Sequence, residues 1–327
     1  HVAADAQWLT REQGVDQRRF SLTPGFTLPH VTQGGHILTT TLNVRQDIYN
    51  GNDVPLGGGD EFSGTTTRTM PQAALEWRYP LINQLDSGSL ILEPIMLAVA
   101  QTTNGNTDTI SNEDSKLIEL TDNNLFSINR MPGLDLVDSG SRVAYGVRGH
   151  YYAGSGVAID GMLGQNYNIE RDTPFPNSTR QGERFSDYIG RVAANYQPFS
   201  LAYRFAVDKN EAQLNRNEID LGFNRPWLSF FGSYREIKNN SYLPDSREAV
   251  LNASMPLMDK WRIYGNARRD IELDQMVTSG GGLIYQNECF TFALDSLRVF
   301  ARDRDIEPTT EFTFRVAFKN LGEFGGK

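Results

Sequence analysis

Apolar and polar residues alternate with a period of two, and the pattern returns about every 20 residues along the chain. In 312–319, Phe312, Phe314, Val316 and Phe318 share one face, while Thr313, Arg315, Ala317 and Lys319 share the other. In 199–208, Phe199, Leu201, Tyr203, Phe205 and Val207 alternate with Ser200, Ala202, Arg204, Ala206 and Asp208. Val143, Tyr145, Val147 and Tyr151 oppose Arg142, Arg148 and His150, and Ala249, Leu251, Ala253, Met255 and Leu257 line up likewise. No helical periodicity competes. The chain is expected to be all-β, with strands whose two faces differ.

A soluble sandwich alternates too, so other features must identify the solvent. The 327 residues are 39% hydrophobic with a mean hydropathy of -0.45. No run approaches the roughly 18 to 20 apolar residues of a membrane helix. That does not exclude a barrel, because barrel strands bury only alternate residues in lipid. Strand length favours a membrane: segments of roughly 10 to 14 residues suit a tilted crossing. About sixteen are read: 5–12, 17–28, 35–49, 66–79, 89–102, 141–152, 155–167, 184–197, 199–208, 213–224, 227–237, 246–256, 260–270, 276–286, 290–302 and 310–321.

The connections alternate in kind. Short ones often carry proline: Leu28-Pro29-His30, Tyr79-Pro80-Leu81, Tyr196-Gln197-Pro198-Phe199, Arg225-Pro226-Trp227 and Met255-Pro256-Leu257. The long ones, 50–65, 103–140, 168–183 and 238–245, all belong to the opposite rim. Outer-membrane barrels sort loops this way, with short turns on the periplasmic side. Trp77, Tyr79, Tyr196, Phe199, Trp227, Trp261 and Tyr285 lie at the short-turn ends, where an interfacial aromatic girdle belongs. A transmembrane antiparallel β-barrel in the bacterial outer membrane follows.

Charge and chemistry narrow the function. Forty acidic against 31 basic residues give a net charge of -9, which argues against nucleic acid as a partner. His1, His30, His36 and His150 lack metal-ligand spacing, and no nucleophile–base pair or phosphate loop is present. Gly280-Gly281-Gly282 falls inside a strand, where glycine marks a bend or a close approach. No catalytic residue, cofactor or metal is expected. The single cysteine, Cys289, excludes a disulfide within the chain, and its residue type leaves both a buried apolar role and a reactive one open. With His1 rather than Met first, the first strand is expected to lack its natural neighbour, and any signal peptide would lie upstream. Loop 103–140 is long and acidic: Asp108, Glu113, Asp114, Glu119, Asp122, Asp135 and Asp138 stand against Lys116 and Arg130. Loops of that length are usually functional, although a solvated surface loop has the same composition.

The same loop carries a specific motif order. Asn112-Glu113-Asp114-Ser115 is followed by Asn124-Leu125-Phe126, then Asn129-Arg130, Gly133 and Asp135. Gly140, Arg142, Tyr145 and Gly146 come next, then Gly164-Gln165-Asn166-Tyr167, and the chain closes near Asn320-Leu321-Gly322. This order resembles the LptD family of outer-membrane lipopolysaccharide-assembly proteins over essentially the whole chain. The resemblance implies a periplasmic jellyroll followed by a barrel of about 26 strands. Residues 1–327 would then be the C-terminal part of one barrel domain, with the jellyroll and first strands absent. It implies lipopolysaccharide as cargo, an LptE-like lipoprotein plug, an LptA-like periplasmic bridge and surrounding outer-membrane lipids as partners. It makes the last strand, with Phe312, Thr313, Phe314, Arg315, Val316, Ala317 and Phe318, one side of a lateral gate. It also makes Cys289 the partner of a cysteine in the absent N-terminal domain, and it raises the possibility that the loop carboxylates face lipopolysaccharide phosphates through divalent cations. The competing expectation is a passive diffusion porin or solute channel.

Overall fold

The computed structural model describes residues 1–327 apart from 103–105, 117, 171–182, 239–243, 301–306, 320–321 and 327, and it describes 322–326 by backbone alone. No helix occurs among the described residues. The first strands are β1 (Val2–Leu9), β2 (Asp16–Val31), β3 (Ile37–Pro55), β4 (Glu61–Arg78), β5 (Leu81–Leu85) and β6 (Gly88–Gln101). Then come β7 (Arg142–Ala153), β8 (Ala158–Asn168), β9 (Tyr188–Tyr196), β10 (Phe199–Val207), β11 (Leu214–Arg225) and β12 (Leu228–Ile237). The series ends with β13 (Ser246–Met258), β14 (Trp261–Asp270), β15 (Gln275–Gln286), β16 (Phe290–Val299), β17 (Thr309–Phe318) and β18 (Gly322–Gly326). Apart from β4 and β5, which both pair with β6, consecutive strands pair antiparallel, as in β2–β3, which runs from Asp16↔Asn52 to Val31↔Ile37. β4 and β5 form one interrupted line opposite β6.

Exposure is inverted relative to a water-soluble sheet. On β2 the polar positions are hidden, with Gln17 at 1% and Arg19 at 6% exposure, while Phe20 and Phe26 are 48% and 54% exposed. The pattern recurs on β10, where Phe199 and Leu201 are exposed, and on β17, where Phe312 and Phe314 are. In water so much exposed apolar surface would drive aggregation. Against lipid tails it is the stable arrangement, because paired strands satisfy each other's backbone groups and leave only side chains to meet the lipid.

The connections sort onto two rims. One rim holds the turns 32–36, 86–87, 154–157, 197–198, 226–227, 259–260 and 287–289; the other holds 102–141 and 169–187. Aromatic contacts track the short-turn rim. Phe223 packs between Phe199 (5.2 Å) and Trp227 (5.5 Å), and Tyr285 between Trp261 (4.9 Å) and Phe290 (5.6 Å). His36 stacks on Tyr79 at 4.3 Å and accepts a hydrogen bond at Nδ1 from Trp77 Nε1 at 3.1 Å.

Several boundaries differ from the sequence reading. Pro29 lies within β2 and Pro256 within β13, so neither marks a reversal. Proline is tolerated there because its missing N–H falls near a strand end or edge. Pro80 interrupts the β4–β5 line, and the chain turns only at Asp86-Ser87. Segment 50–65 is mostly strand, with the turn confined to 56–60. Strand 310–321 is not the sheet's end: β18 follows β17 and pairs with it from Phe318↔Gly322 to Phe314↔Gly326. The short polar and glycine-rich tail hid that strand from a pattern search. Loop 168–183 falls largely outside the described residues, as do Asn320 and Leu321. The glycine run sits in β15, where the Tyr264 hydroxyl reaches across Gly282 to the Asp295 carboxylate.

Candidate functional site

The segment between β6 and β7 is neither a solvated surface loop nor a loose one. It folds against the inner, polar face of the sheet and touches side chains from β2 through β11. A sheet that meets one loop along so many strands must curve around it.

Local turns come from the signature residues. Asn112 brackets its turn by accepting from Ser115 N (2.9 Å) and donating to Ser115 O (2.9 Å). Asn124 accepts from Thr121 N at 2.7 Å and donates to Glu119 O at 2.8 Å. Asn129 accepts from Met131 N at 3.1 Å. Such amide side chains mimic the backbone and so fix a chain that has no ladder. Gly133 has φ 82°, and a Cβ there would stand 2.5 Å from the Asp114 carbonyl oxygen. Only glycine fits both constraints. Gly140 also has a positive φ, 86°.

Two ionic anchors hold the loop. In the first, Arg19 on β2 reaches Asp114 (2.7 Å) and Asp135 (2.6 Å), and also Asp5 on β1 (2.9 Å). Asp135 is 1% exposed, and its second oxygen accepts from Glu113 N (2.8 Å) and Asp114 N (3.2 Å). Arg68 on β4 donates to the Asp135 and Leu134 carbonyls, each at 2.7 Å, while Asp47 on β3 holds it at 2.8 Å. In the second anchor, Arg130 forms a bidentate pair with Asp138 at 2.6 and 2.9 Å. Arg142 on β7 also meets Asp138, at 3.4 Å, and donates to Ser127 O and Ile128 O at 2.8 Å. Farther round the sheet, Glu119 pairs with Arg216 at 2.5 Å, and Asp122 lies 3.7 Å from Arg191 and 3.6 Å from Arg204. Glu113 pairs with Arg11 at 2.6 Å.

The carboxyl groups respond accordingly. Burial pushes the Asp114 carboxyl up, but the Leu134 and Asp135 N–H groups and Arg19 outweigh it and hold it well below the ordinary range. Burial opposes ionisation of Asp138 too, and Arg130 and Arg142 overcome it. The bond from Arg11 lowers Glu113. Buried charge is tolerable only with this degree of pairing.

Between the anchors lies an apolar patch. Leu120 and Leu125 from the loop join Ala74, Leu97, Val99, Ala144 and Ile189 from the sheet, with Phe126, Ile128 and Met162 against them. Gly164 makes this contact possible, since a Cβ there would be 2.7 Å from Leu125 Cδ2. It pairs directly with Gly146, beside Tyr145, whose hydroxyl donates to Gln165 at 2.6 Å. Gln165 donates onward to Ser186 O at 2.8 Å, and Tyr167 packs on Phe185 at 4.8 Å.

The loop's signature residues are thus brought together with Gly146 and Gly164 on the inner face, while Tyr145, Gln165 and Tyr167 lie on the opposite, outward face of β7 and β8. The sequence reading missed Arg19, Asp47, Arg68 and Tyr49, although each is a polar or charged residue at an alternate strand position. It also missed Asn106, whose amide clamps Val137 at both N and O, each at 2.8 Å. The cation-bridging expectation is replaced, because six of the seven acidic side chains meet arginine instead. Among the described residues no group of three or more His, Cys, Asp or Glu is arranged to hold a metal. The far positions stand apart from this unit. Cys289 is exposed in the 287–289 turn on the short-turn rim, so it is not a buried hydrophobe. Phe312 to Phe318 lie on β17.

A model of the family described as "LptD: LPS transport system D" matches residues 3–261. The chain belongs to the LptD family. Among LptD relatives, a protein of Aeromonas salmonicida named "LPS-assembly protein LptD" is 22% identical, covering 94% of this chain and 42% of the relative. Its namesake in Aeromonas hydrophila is 24% identical over 98% of this chain and 44% of the relative. The chain therefore spans less than half the length of these LptD proteins. In fold it is similar to the ferric enterobactin receptor PfeA of Pseudomonas aeruginosa, with a TM-score of 0.50 at 9% identity, covering 94% of this chain and 55% of that one. Family, fold and inverted exposure agree on a β-barrel protein of the bacterial outer membrane.

Proposed function

We propose that this chain is the C-terminal barrel portion of a lipopolysaccharide translocon that inserts lipopolysaccharide into the outer leaflet. The observation that carries the reading is that the loop's LptD signature residues, Asp114, Asn129, Arg130, Gly133 and Asp135, dock together with Gly146 and Gly164 on the inner face. A passive porin would need an open interior, whereas here the inner face between β2 and β11 meets a loop tied to its own wall. No covalent step is required of the chain.

Further parts of the reading come from the family. An N-terminal jellyroll and the first strands complete the protein, and an LptA-like bridge delivers lipopolysaccharide to the jellyroll. An LptE-like lipoprotein occupies the inner face left uncovered beside β12 to β17. Cys289 joins a cysteine of the N-terminal domain, and its exposure on the periplasmic rim supports that role. Phe312 to Phe318 of β17, together with β18, form one side of the lateral gate.

Depletion of the protein tests the main reading: surface lipopolysaccharide should fall, and unchanged surface lipopolysaccharide would sink it. For the disulfide, non-reducing gels of the full-length protein should show a mobility shift with Cys289→Ser. Identical mobility would remove that part of the proposal.

A further inference from the structure

We infer that the outer edge of β5 is a strand-addition site, filled by an extended segment of further polypeptide tethered to this barrel. The inference rests on the reading that the functional protein is longer than the span described here.

The edge is defined by hydrogen-bond direction. Tyr79 N–H donates to Pro94 O at 3.1 Å, so along the β4–β5 line the odd-numbered groups face β6. Alternation then points the N–H and C=O groups of Ile82 and Gln84 the other way. Nothing among the described residues meets them: β5 pairs with β6 alone, and the β3 ladder stops at Ile37↔Arg78. All five residues of β5 are exposed, with Leu81 at 47%, Ile82 at 67% and Leu85 at 43%. Leu81 and Leu85 point to one face and Ile82 to the other.

Exposed strand edges are normally blunted by charge, proline or a bulge. Leu81-Ile82-Asn83-Gln84-Leu85 carries none of these within the strand. Nor can lipid cover it well, because the edge lies beyond the Trp77–His36–Tyr79 cluster on the short-turn rim, and lipid tails satisfy no N–H or C=O. The matching occupant is an extended backbone with apolar side chains at alternate positions.

Size then selects among such occupants. One added strand of this length buries a few hundred Å², far below the roughly 1,200–2,000 Å² of a stable free-standing interface. A second copy would not be held by this edge alone. A tethered segment would, because tethering raises its effective concentration. The matched LptD relatives supply the needed length, since this chain covers only 42% and 44% of them.

The test places a photoreactive amino acid at Ile82 of the full-length protein in outer membranes. Folding is checked by heat-modifiable migration on gels. The expected product is an intramolecular crosslink to polypeptide outside residues 1–327. Gln84→Pro, which removes an outward donor but leaves Asn83 and Leu85 laddered to β6, should lower its yield about five- to tenfold. If Ile82 does not tolerate the probe, the same probe goes at Gln84, without the proline variant. Crosslinks to a second copy, to another protein or to lipid, or no crosslink in folded protein, would overturn the inference. Surface lipopolysaccharide, measured in parallel by depletion, tests the translocon reading separately, so either idea can fail alone.

Discussion

The inner face of β2 to β11 and the inner face of β12 to β17 are built from the same alternation but stabilised in opposite ways. On the first side, Arg19 and Arg68 have side chains only 4% and 3% exposed, and Asp47 and Asp135 are fully hidden. On the second side, Arg235 and Arg268 share Glu248 at 2.7 and 2.6 Å, with the arginines 40% and 45% exposed. The loop makes the difference. Where it covers the wall most closely, the pairs Arg19–Asp135, Arg68–Asp47 and Arg130–Asp138 are desolvated, and losing one partner strands a buried charge. Where the wall is open, water screens the pairs, and each contributes little. Arrangements that look alike in sequence therefore differ severalfold in energetic weight.

The comparison can be broken at its strongest point first. Asp135→Ala should undock the loop at a cost of about 3–5 kcal/mol, because Arg19 loses a buried partner. Limited proteolysis within 106–138 should become fast in folded barrel, and persistent protection would contradict the proposed anchor. Gly133→Ala should cost about 2–3 kcal/mol through the positive φ and the contact with the Asp114 carbonyl. Its signature is a loop-specific loss of thermal stability, with wall strands unaffected in heat-modifiable migration.

Acid gives a graded version of the same release. Asp114 and Asp138 have folded-state pKa values held below their unfolded values, so their stabilisation is complete above the unfolded range of about 3.9. It is lost as pH falls through the lower, folded-state range. Protease access to the loop should therefore rise between pH 5 and the strongly acidic region, on the order of pH 2–3. Access that is equal at both ends would show that the carboxylates do not hold the loop. The smallest effect belongs to the open side: Glu248→Gln should change barrel stability by less than about 1 kcal/mol. A larger loss in denaturant unfolding would mean that side is not open in the protein.

Strand existence and rim orientation were legible because alternation and loop length are local signals. Phe199, Leu201, Phe312 and Phe314 face outward as their pattern requires. Turn positions near Pro29, Pro80 and Pro256 were misread because proline at an edge resembles proline at a reversal. β18 carries no alternation to read. For the site, the loop's signature residues stood out, but their partners did not. Arg19 and Asp135 are 116 positions apart, and nothing local says that a loop after β6 will meet β2. That contact depends on sheet curvature, which is a property of the whole array.

The covalent position of the loop carries a consequence for assembly. Most neighbouring strands on the short-turn rim close through a few residues, but β6 and β7 must find each other across 102–141. Chain closure over such a span costs about 2–3 kcal/mol more than a tight turn, since the penalty grows only logarithmically with length. The larger issue is register. A two-residue hairpin dictates which residues pair, whereas a long excursion leaves β6 and β7 free to slip. The Met96↔Tyr145 alignment must then be imposed from the side, by Leu97, Val99 and Ala144 closing on Leu125. On this account the segment acts as a template during folding, and the wall reaches its final register only when the filling is in place.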